Sequence, residues 1–195
     1  MPPYSKFTRE EIVNAALEIV KLKGFSALTA RALGTKLGTS SRPIFTVFKS
    51  MHELHQDVIE AAKKIYNEYI NIGLSSEQPF KGVGTQYILF AIKEPKLFQL
   101  LFMKEQDDIP ALSNILPIID DNYERILQSV QKDNRVNKEF SEWLYRHLWI
   151  YTHGIAALCA ANMCRFTGDE ISGMVSEVYL GLLKQMKEVT KNDNC

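Results

Sequence analysis

The sequence predicts an all-α protein of about nine helices, with a three-helix N-terminal helix-turn-helix head and a larger helical C-terminal domain. Two observations support this fold class. Apolar residues recur every three or four positions along nearly all of the 195 residues, which is the period of an amphipathic helix. Glycines and prolines divide this pattern into segments of helix length, and Gly38 separates two unusually short ones. We place the domain boundary between residues 52 and 53, so that residues 1–52 form the head and residues 53–195 the second domain.

The first helix of the head follows Thr8. This residue is placed to cap the helix, and Glu11 occupies the reciprocal position of a capping box. Ile12 and Ala16 begin an apolar face at helical spacing. Gly24 follows two lysines and ends the helix, because cations suit the last turn and glycine tolerates a left-handed cap.

Two short helices follow, separated by a tight turn. Thr29 caps the first of them, and Gly38 supplies the positive φ or the close backbone approach that the turn requires. Thr39 or Ser40 caps the second, and Pro43 lies in its first turn, where the missing N–H costs little. The apolar side chains expected to anchor this third helix in the core of the head are Ile44, Phe45 and Phe48.

The third helix is expected at residues 40–48. Its outward side chains, together with that of the next residue, are either short and polar or cationic. Such side chains suit a helix that lies in the major groove of DNA better than one that faces plain solvent. Arg42 is the best candidate for a base contact, because a guanidinium can form a bidentate pair with guanine. The outward residues are Ser40, Ser41, Arg42, Thr46 and Lys49.

The charge is distributed unevenly. Residues 1–52 contain eight Lys or Arg and three Asp or Glu, a net charge of +5, and the rest of this neutral chain therefore carries −5. A basic head with an acidic remainder confines the neutralisation of phosphates to one part of the protein. The alternative is that these cations only solvate a surface, but the helix-turn-helix pattern that they accompany favours DNA binding.

Several residues of the head match a family pattern in order: Gly24-Phe25, Thr29, Gly38-Thr39-Ser40 and Phe45-Thr46-Val47-Phe48. The head therefore resembles that of the tetracycline-repressor (TetR) family of bacterial transcriptional regulators. Two positions depart from the family. It usually has Tyr where this chain has Phe45, and it often has Lys where this chain has Met51.

The resemblance implies that the head binds double-stranded DNA. Because Phe45 lacks the hydroxyl that often meets a phosphate in the family, we expect phosphate anchoring to fall on other side chains. Phe45 is still expected to fill the core. The predicted DNA-contacting residues are Thr29, Thr39, Ser40, Ser41, Arg42, Pro43, Thr46 and Lys49.

The remainder of the sequence is predicted to be helical. A long fourth helix leads out of the head, and the polar segment 71–79 is the best loop candidate. Pro95 ends the fifth helix, because a residue before proline avoids the α region. Asp169 is expected to cap the last helix. The stripe of the fourth helix is Leu54, Val58, Ala61, Ile65 and Tyr69; the later helices are expected at residues 80–93, 96–103, 118–132, 139–166 and 169–189, with loop or broken helix at 105–117.

The last two helices carry more apolar surface than one core contact can use. The resemblance implies that they pair with their copies in a four-helix homodimer interface, whereas burial within a monomer is the alternative. A two-fold dimer would present two recognition helices to a palindrome. The predicted dimerisation residues are Gly154, Ala157, Ala161, Met174, Val178 and Leu182.

Aromatic and polar-tipped side chains are concentrated between residues 90 and 163, and they suit a mainly apolar ligand pocket. Ordinary core packing is the alternative for each of them. Trp149, His153 and Gly154 also resemble a Trp-His-Gly pattern in the C-terminal domain of one branch of the family, although His153 itself is expected to be a hydrogen-bonded core histidine. The predicted ligand-binding residues are Phe90, Phe98, Phe102, Tyr123, Trp143, His147 and Tyr151.

Cysteine usage and hydropathy indicate a reduced, cytoplasmic protein. No apolar run reaches the roughly 18 residues that span a bilayer, and the N-terminus has no signal-peptide pattern, so we expect no membrane partner. Cys159 and Cys164 lie five apart on the helix predicted at 139–166, a spacing that does not bring them together for a disulfide. They are expected to be reduced core thiols.

No combination of residues predicts an enzyme, a cofactor or a metal site. His52 and His55 stand three apart, but no further ligand set accompanies them. The sequence therefore predicts a homodimeric repressor that binds a palindromic operator and is released by a small-molecule effector, which is expected to be largely apolar. The alternative is an all-helical protein-interaction module without specific DNA binding, which would leave the basic segment after Gly38 unexplained.

Overall fold

The computed structural model describes residues 6–105, 109–134 and 136–192. These residues form nine α-helices and two three-residue 3-10 helices, with no strand among them, so the all-α prediction is confirmed. No helix in this part of the chain is long and apolar enough to cross a bilayer. The helices are α1 (Arg9–Lys23), α2 (Ala30–Lys36), α3 (Met51–Leu74), α4 (Pro79–Lys93), α5 (Pro95–Phe102), α6 (Ile115–Ile119), α7 (Tyr123–Asn134), α8 (Lys138–Ala160) and α9 (Gly168–Asn192).

The chain divides into two compact units. The first contains the described residues of 1–68 and 94–106, and the second contains those of 69–93 and 107–195. The first unit is therefore larger than the head expected at residues 1–52. It includes most of α3, and it includes α5, which packs against α1.

Helix α1 is built as its sequence indicates. The backbone N–H of Glu11 donates to Thr8 Oγ1 at 3.1 Å, and the N–H of Thr8 donates to Glu11 Oε2 at 2.7 Å, which completes the capping box. Its buried face meets α2 and α5, and Lys21 Nζ lies 2.9 Å from Glu94 Oε1 at the start of α5. The buried residues of this face are Ile12, Val13, Ala16, Ile19 and Val20.

The turn after α2 depends on two glycines. Gly38 has φ +65°, the left-handed region that the tight turn was expected to need. Gly34, inside α2, was not singled out from the sequence. A Cβ at Gly34 would lie 2.9 Å from the carbonyl carbon of Ser40 and 3.0 Å from the nitrogen of Ser41. The absence of a side chain at Gly34 thus allows the following segment to pack directly against α2.

The third helix predicted at residues 40–48 is not an α-helix. Only Ile44–Thr46 is helical, as a 3-10 turn, and residues 41–43 form a turn before it. Pro43 has no N–H to donate, and Thr46 Oγ1 donates to the Pro43 carbonyl at 2.7 Å. Hydrogen bonds from side chains to the backbone compete with the hydrogen bonds of an α-helix. At the end of the segment, the N–H of Lys49 donates to Glu53 Oε2 at 2.7 Å instead of to a backbone carbonyl. We call residues Ser40–Lys49 the recognition segment.

Helix α3 is longer than predicted and its buried stripe is different. Ser50 Oγ accepts from the N–H of Glu53 at 3.2 Å near its start, and the helix continues to Leu74, into the segment expected to be loop. The predicted stripe leaves the core after Val58. Residues four apart advance about 40° beyond a full turn at each step, so the buried side winds around this helix, whereas the prediction assumed one constant face. The buried residues are Leu54, Val58, Ala62, Tyr66 and Ile70, whereas Ala61, Ile65 and Tyr69 are half-buried.

The second unit is centred on α4, which packs against α7 and α8. Its buried side chains include Phe80, Val83, Tyr87, Phe90, Ile126, Val130, Leu144 and Leu148. Helix α6 begins in the segment expected to be loop or broken helix and ends at Ile119, so the helix expected at 118–132 is interrupted and α7 begins at Tyr123. Helix α9 is capped by Thr167 rather than Asp169: Thr167 Oγ1 accepts from the N–H of Glu170 at 3.2 Å, and the N–H of Thr167 donates to Glu170 Oε2 at 2.7 Å.

Helix α8 ends six residues before the predicted position. Asn162 has φ 54°, the left-handed conformation that closes many helix C-termini. The N–H of Met163 donates to the Leu158 carbonyl at 3.0 Å, and the N–H of Asn162 donates to the Cys159 carbonyl at 3.0 Å. Cys164 therefore lies beyond the helix and is exposed, so the expectation that it is a core thiol is wrong.

Candidate nucleic-acid interface

The recognition segment presents polar and cationic side chains to solvent. Ser40, Arg42, Thr46 and Lys49 are exposed, whereas Thr39, Ser41 and Pro43 are half-buried. Thr29 is exposed and also caps α2, since its Oγ1 accepts from the N–H of Ala32 at 3.1 Å. The first unit thus places these eight predicted contact residues in and next to the turn that Gly34 and Gly38 allow.

Buried apolar residues hold the segment in place. Ile44 is fully buried and Phe48 almost so, as the sequence predicted. Phe45 is different: its side chain is 46% exposed, so the expectation that it fills the core is wrong. In a 3-10 turn, residues three apart eclipse one another, which places Phe45 on the side of Arg42 rather than that of Ile44. An apolar ring consequently joins the exposed surface of the segment.

Several cations of the first unit are engaged within it. Arg9 bonds Asp57 through Nε at 2.6 Å and Glu53 through Nη1 at 2.8 Å, and its guanidinium lies 4.4 Å from the centre of the Phe48 ring. The pKa of the Glu53 carboxyl is lowered, first by the hydrogen bond from the N–H of Lys49 and then by Arg9. Lys36 is 2.6 Å from Glu18. Arg9 and Lys36 thus help to hold the first unit together.

Several other cations of the first unit form no salt bridge among the residues that the structure describes. Arg42 and Lys49 belong to the recognition segment, and Lys23 and Arg31 lie on α1 and α2. Lys23 and Arg31 were not predicted as contact residues, because the sequence alone does not show which cations form salt bridges. They face a groove of about 620 Å³ whose lining is Ile19, Leu22, Lys23, Ala27, Thr29, Arg31, Ala32, Thr35 and Lys36.

The predicted ligand-binding residues fall in different parts of the molecule. Phe98 and Phe102 belong to the first unit, where Phe102 meets Tyr66 at 4.9 Å between ring centres. Phe90 is fully buried in the second unit, 5.4 Å from Tyr69. These contacts are those of core residues. The other four, Tyr123, Trp143, His147 and Tyr151, lie in the second unit.

These four residues make local contacts. Tyr123 stacks on Tyr145, with ring centres 5.9 Å apart. Trp143 and His147 are one turn apart on α8, 4.4 Å between ring centres, and His147 is exposed. Tyr151 is half-buried. The seven predicted residues are thus divided between the two units, two in the first and five in the second.

The second unit also contains a partly buried cluster of polar side chains. Tyr87 Oη and His153 Nδ1 are 2.8 Å apart, and the rings of His153 and Trp149 are 5.2 Å apart. Burial lowers the pKa of His153 and raises the pKa of Tyr87. His153 is thus a hydrogen-bonded core histidine, as predicted, and it is neutral near pH 7.

The predicted dimerisation residues lie on an uncovered apolar surface. Gly154 and Ala161 are exposed, and Ala157, Met174, Val178 and Leu182 are half-buried. Ile150, which is 47% exposed, lies one turn before Gly154 on the same side of α8, whereas Leu180, which is 62% exposed, lies on the side of α9 opposite Val178. A Cβ at Gly154 would meet nothing within 4 Å. We call this surface of α8 and α9 the outer face.

Metal-binding residues are not clustered. No group of three or more His, Cys, Asp or Glu side chains in the described ranges is arranged to hold a metal ion. His52 is exposed, whereas Nε2 of His55 is buried and has no hydrogen-bond partner, with its ring 4.8 Å from Phe25. The two imidazoles therefore have different surroundings despite their spacing.

No protein-family model matches this chain, and no curated protein matches it either.

Proposed function

We propose that this chain is a DNA-binding transcriptional regulator of the tetracycline-repressor type, acting as a repressor on a palindromic operator. The observation that carries the proposal is the surface of the recognition segment. It combines Arg42 and Lys49, which form no salt bridge among the described residues, with the hydroxyls of Ser40 and Thr46, on a turn fixed by Gly34. These groups supply both phosphate contacts and base-edge hydrogen bonds.

The change from helix to 3-10 turn refines the docking mode. A turn of this length offers few side chains to base edges, so one protomer reads few base pairs. Arg42 pairs with guanine, and the exposed Phe45 ring suits the methyl group of thymine. Phosphates are met by Lys49, Thr46, Ser41 and Thr29. Lys23 and Arg31, which form no salt bridge in the described part of the chain, extend this basic surface.

The outer face supports a homodimer. Exposed aliphatic side chains flank small residues at Gly154, Ala157 and Ala161, which let another helix approach closely. Exposed apolar side chains grouped on one side of a helix are typical of an interaction site. Two copies related by a two-fold axis would present two recognition segments to a palindrome, with half-site centres about one helical turn apart.

The effector is a small, largely apolar molecule that binds the second unit. Tyr87 and His153 are already bonded to each other, so such a ligand would either replace this bond or bind among the other aromatic side chains of the second unit. The ligand releases DNA only if it binds the two arrangements of the dimer with different affinity. Titration of candidate ligands into the protein–operator complex measures this release.

Selection of bound fragments from random duplex DNA, followed by fluorescence anisotropy, tests the proposal. We expect enrichment of one palindrome, saturable binding to it, and an affinity that falls steeply with salt. A shuffled duplex of the same composition is the control. Equal binding to both duplexes, or no enrichment, would contradict the proposal and favour the alternative of an all-helical interaction module.

A further inference from the structure

The C-terminus of α8 reverses the chain at a place where two cysteines flank the turn. The two hydrogen bonds to the carbonyls of Leu158 and Cys159, with Asn162 left-handed between them, form a Schellman motif. The N–H of Cys164 also points to the Leu158 carbonyl, at 3.4 Å. The segment after the helix is thereby folded back over its last turn.

This reversal brings Cys159 and Cys164 close together. In a continuous α-helix the Cα atoms of residues five apart are separated by about 8.7 Å and their side chains point about 140° apart. Here the 3.4 Å bond to the Leu158 oxygen limits the separation of the two Cα atoms. Standard peptide dimensions place that limit at about 7.7 Å, reached only if all the atoms were in line. Every bend in this path shortens the separation below that limit and toward the range of about 4.4–6.8 Å in which disulfides form.

The two thiols differ in access. Cys164 is exposed and Cys159 is half-buried, and both are free thiols in this structure. Burial raises the pKa of the Cys159 thiol, and the neighbouring Cys164 raises it further. Cys164 is therefore the thiol that meets a dissolved oxidant first, and Cys159 is the neighbouring thiol available to its oxidised product.

We propose that Cys159 and Cys164 form a redox-active dithiol that hydroperoxides oxidise to an intrachain disulfide. The thiolate of Cys164 attacks a peroxide oxygen, the O–O bond breaks, and the leaving oxygen departs as water or an alcohol after taking a proton. The Cys164 sulfenic acid is then attacked by the sulfur of Cys159. The S–S bond forms as the S–O bond breaks, and the hydroxyl leaves as water with the proton of Cys159. The peroxide is reduced by two electrons and the dithiol is oxidised by two.

The disulfide would fix the C-terminal turn of α8. It would hold the Schellman motif closed and restrict the connection that leads to Gly168 at the start of α9. A thiol such as glutathione would restore the reduced form by exchange. This inference concerns the chain alone and stands whether or not the protein binds DNA.

The experiment uses the full chain with Cys195→Ser, so that only the two thiols in question remain. The native protein is treated with hydrogen peroxide, quenched in acid, alkylated and digested with trypsin. Cleavage after Arg146 and Arg165 gives one peptide, residues 147–165, that contains both cysteines. We expect this peptide to lose two hydrogens, to resist alkylation, and to regain both alkylation sites after reduction.

Two further variants separate this chemistry from unrelated oxidation. In Cys159→Ser, the Cys164 sulfenic acid has no partner, so dimedone should label it much more than in the parent. In Cys164→Ser, loss of the Cys159 thiol should be slower than in the parent. Dimedone also distinguishes sulfenic acid from oxidation of Met163 in the same peptide. Equal labelling of Cys164 in parent and Cys159→Ser, or disulfides that join two chains, would overturn the proposal.

Discussion

At the scale of single residues, Gly34 determines where the recognition segment lies. The backbone of Ser40 and Ser41 occupies the space that a side chain at this position would fill. The sequence indicated Gly38, because a glycine between two short helical patterns is typical of a tight turn. It did not indicate Gly34, because a glycine inside a helical pattern has no local sign that another part of the backbone approaches it.

Replacement of Gly34 by alanine should destabilise the first unit. The new Cβ would lie 2.9 Å from the Ser40 carbonyl carbon, so backbone must shift, and overpacking of this kind costs about 1–3 kcal/mol. Urea unfolding followed by far-UV circular dichroism measures the change. Gly173→Ala in α9 is the matched control, because a Cβ there meets nothing and helix propensity should rise. Equal stability of Gly34→Ala and the parent would show that the segment is not packed on α2 as described.

His153 should make the stability of the second unit depend on pH. Burial lowers its pKa in the folded chain below the ordinary 6.5, so the unfolded chain binds more protons at mildly acidic pH. Its contribution is therefore complete above about pH 6.5 and is lost as the pH falls below that value. Both tryptophans lie on α8, so their fluorescence follows urea unfolding of this unit.

The loss of stability between pH 7.5 and pH 5 should be smaller in His153→Gln than in the parent, because Gln retains a hydrogen-bonding group for Tyr87 but does not titrate. His147→Gln on the same helix is the control, since that imidazole is exposed. An unchanged pH dependence in His153→Gln would assign the effect to other groups.

At the scale of elements, the sequence predicted best where periodicity and caps agree. Helix α1 was predicted with its capping box and its terminal glycine, and both are present. The third helix was predicted but is not an α-helix in the structure. Pro43 lacks an N–H, and the hydroxyl of Thr46 occupies a backbone carbonyl, so the hydrogen bonds that the apolar spacing suggested do not all form. The end of α8 was missed because Asn162 occupies a position where glycine is the usual signal.

The outer face of α8 gives the prediction at this scale. Gly154→Glu should convert the dimer to a monomer, because a charged side chain would stand where a second copy must approach. The monomer itself should tolerate the change, since nothing lies within 4 Å of the new Cβ. Sedimentation velocity measures the molecular mass. Gln128→Glu, an exposed position on α7, adds the same charge elsewhere and should leave the mass unchanged. A dimeric Gly154→Glu variant would place the interface on another surface.

At the scale of the whole molecule, the sequence predicted fold class and charge asymmetry better than the positions of its functional groups. The spacing of aromatic residues did not reveal that Phe98 and Phe102 belong to a different unit from Phe90, because that depends on how α5 packs on α1. Equally, counting cations did not reveal which are engaged. Arg9 is paired with Asp57 and Glu53, whereas Arg31 is unpaired among the residues described.

The central claim is that the recognition segment reads DNA sequence, and the most direct measurement compares Arg42→Ala with Lys49→Ala on the selected palindrome and on its shuffled control. Arg42→Ala should lose about 1–3 kcal/mol of binding free energy on the palindrome and little on the control, since a base contact is lost. Lys49→Ala should weaken binding to both duplexes alike and reduce the salt dependence of the affinity, since a phosphate contact is lost. Lys64→Ala, an exposed cation on α3, should change neither. If Arg42→Ala lost the same binding free energy on both duplexes, or no more than Lys64→Ala loses, sequence recognition by this segment would be contradicted.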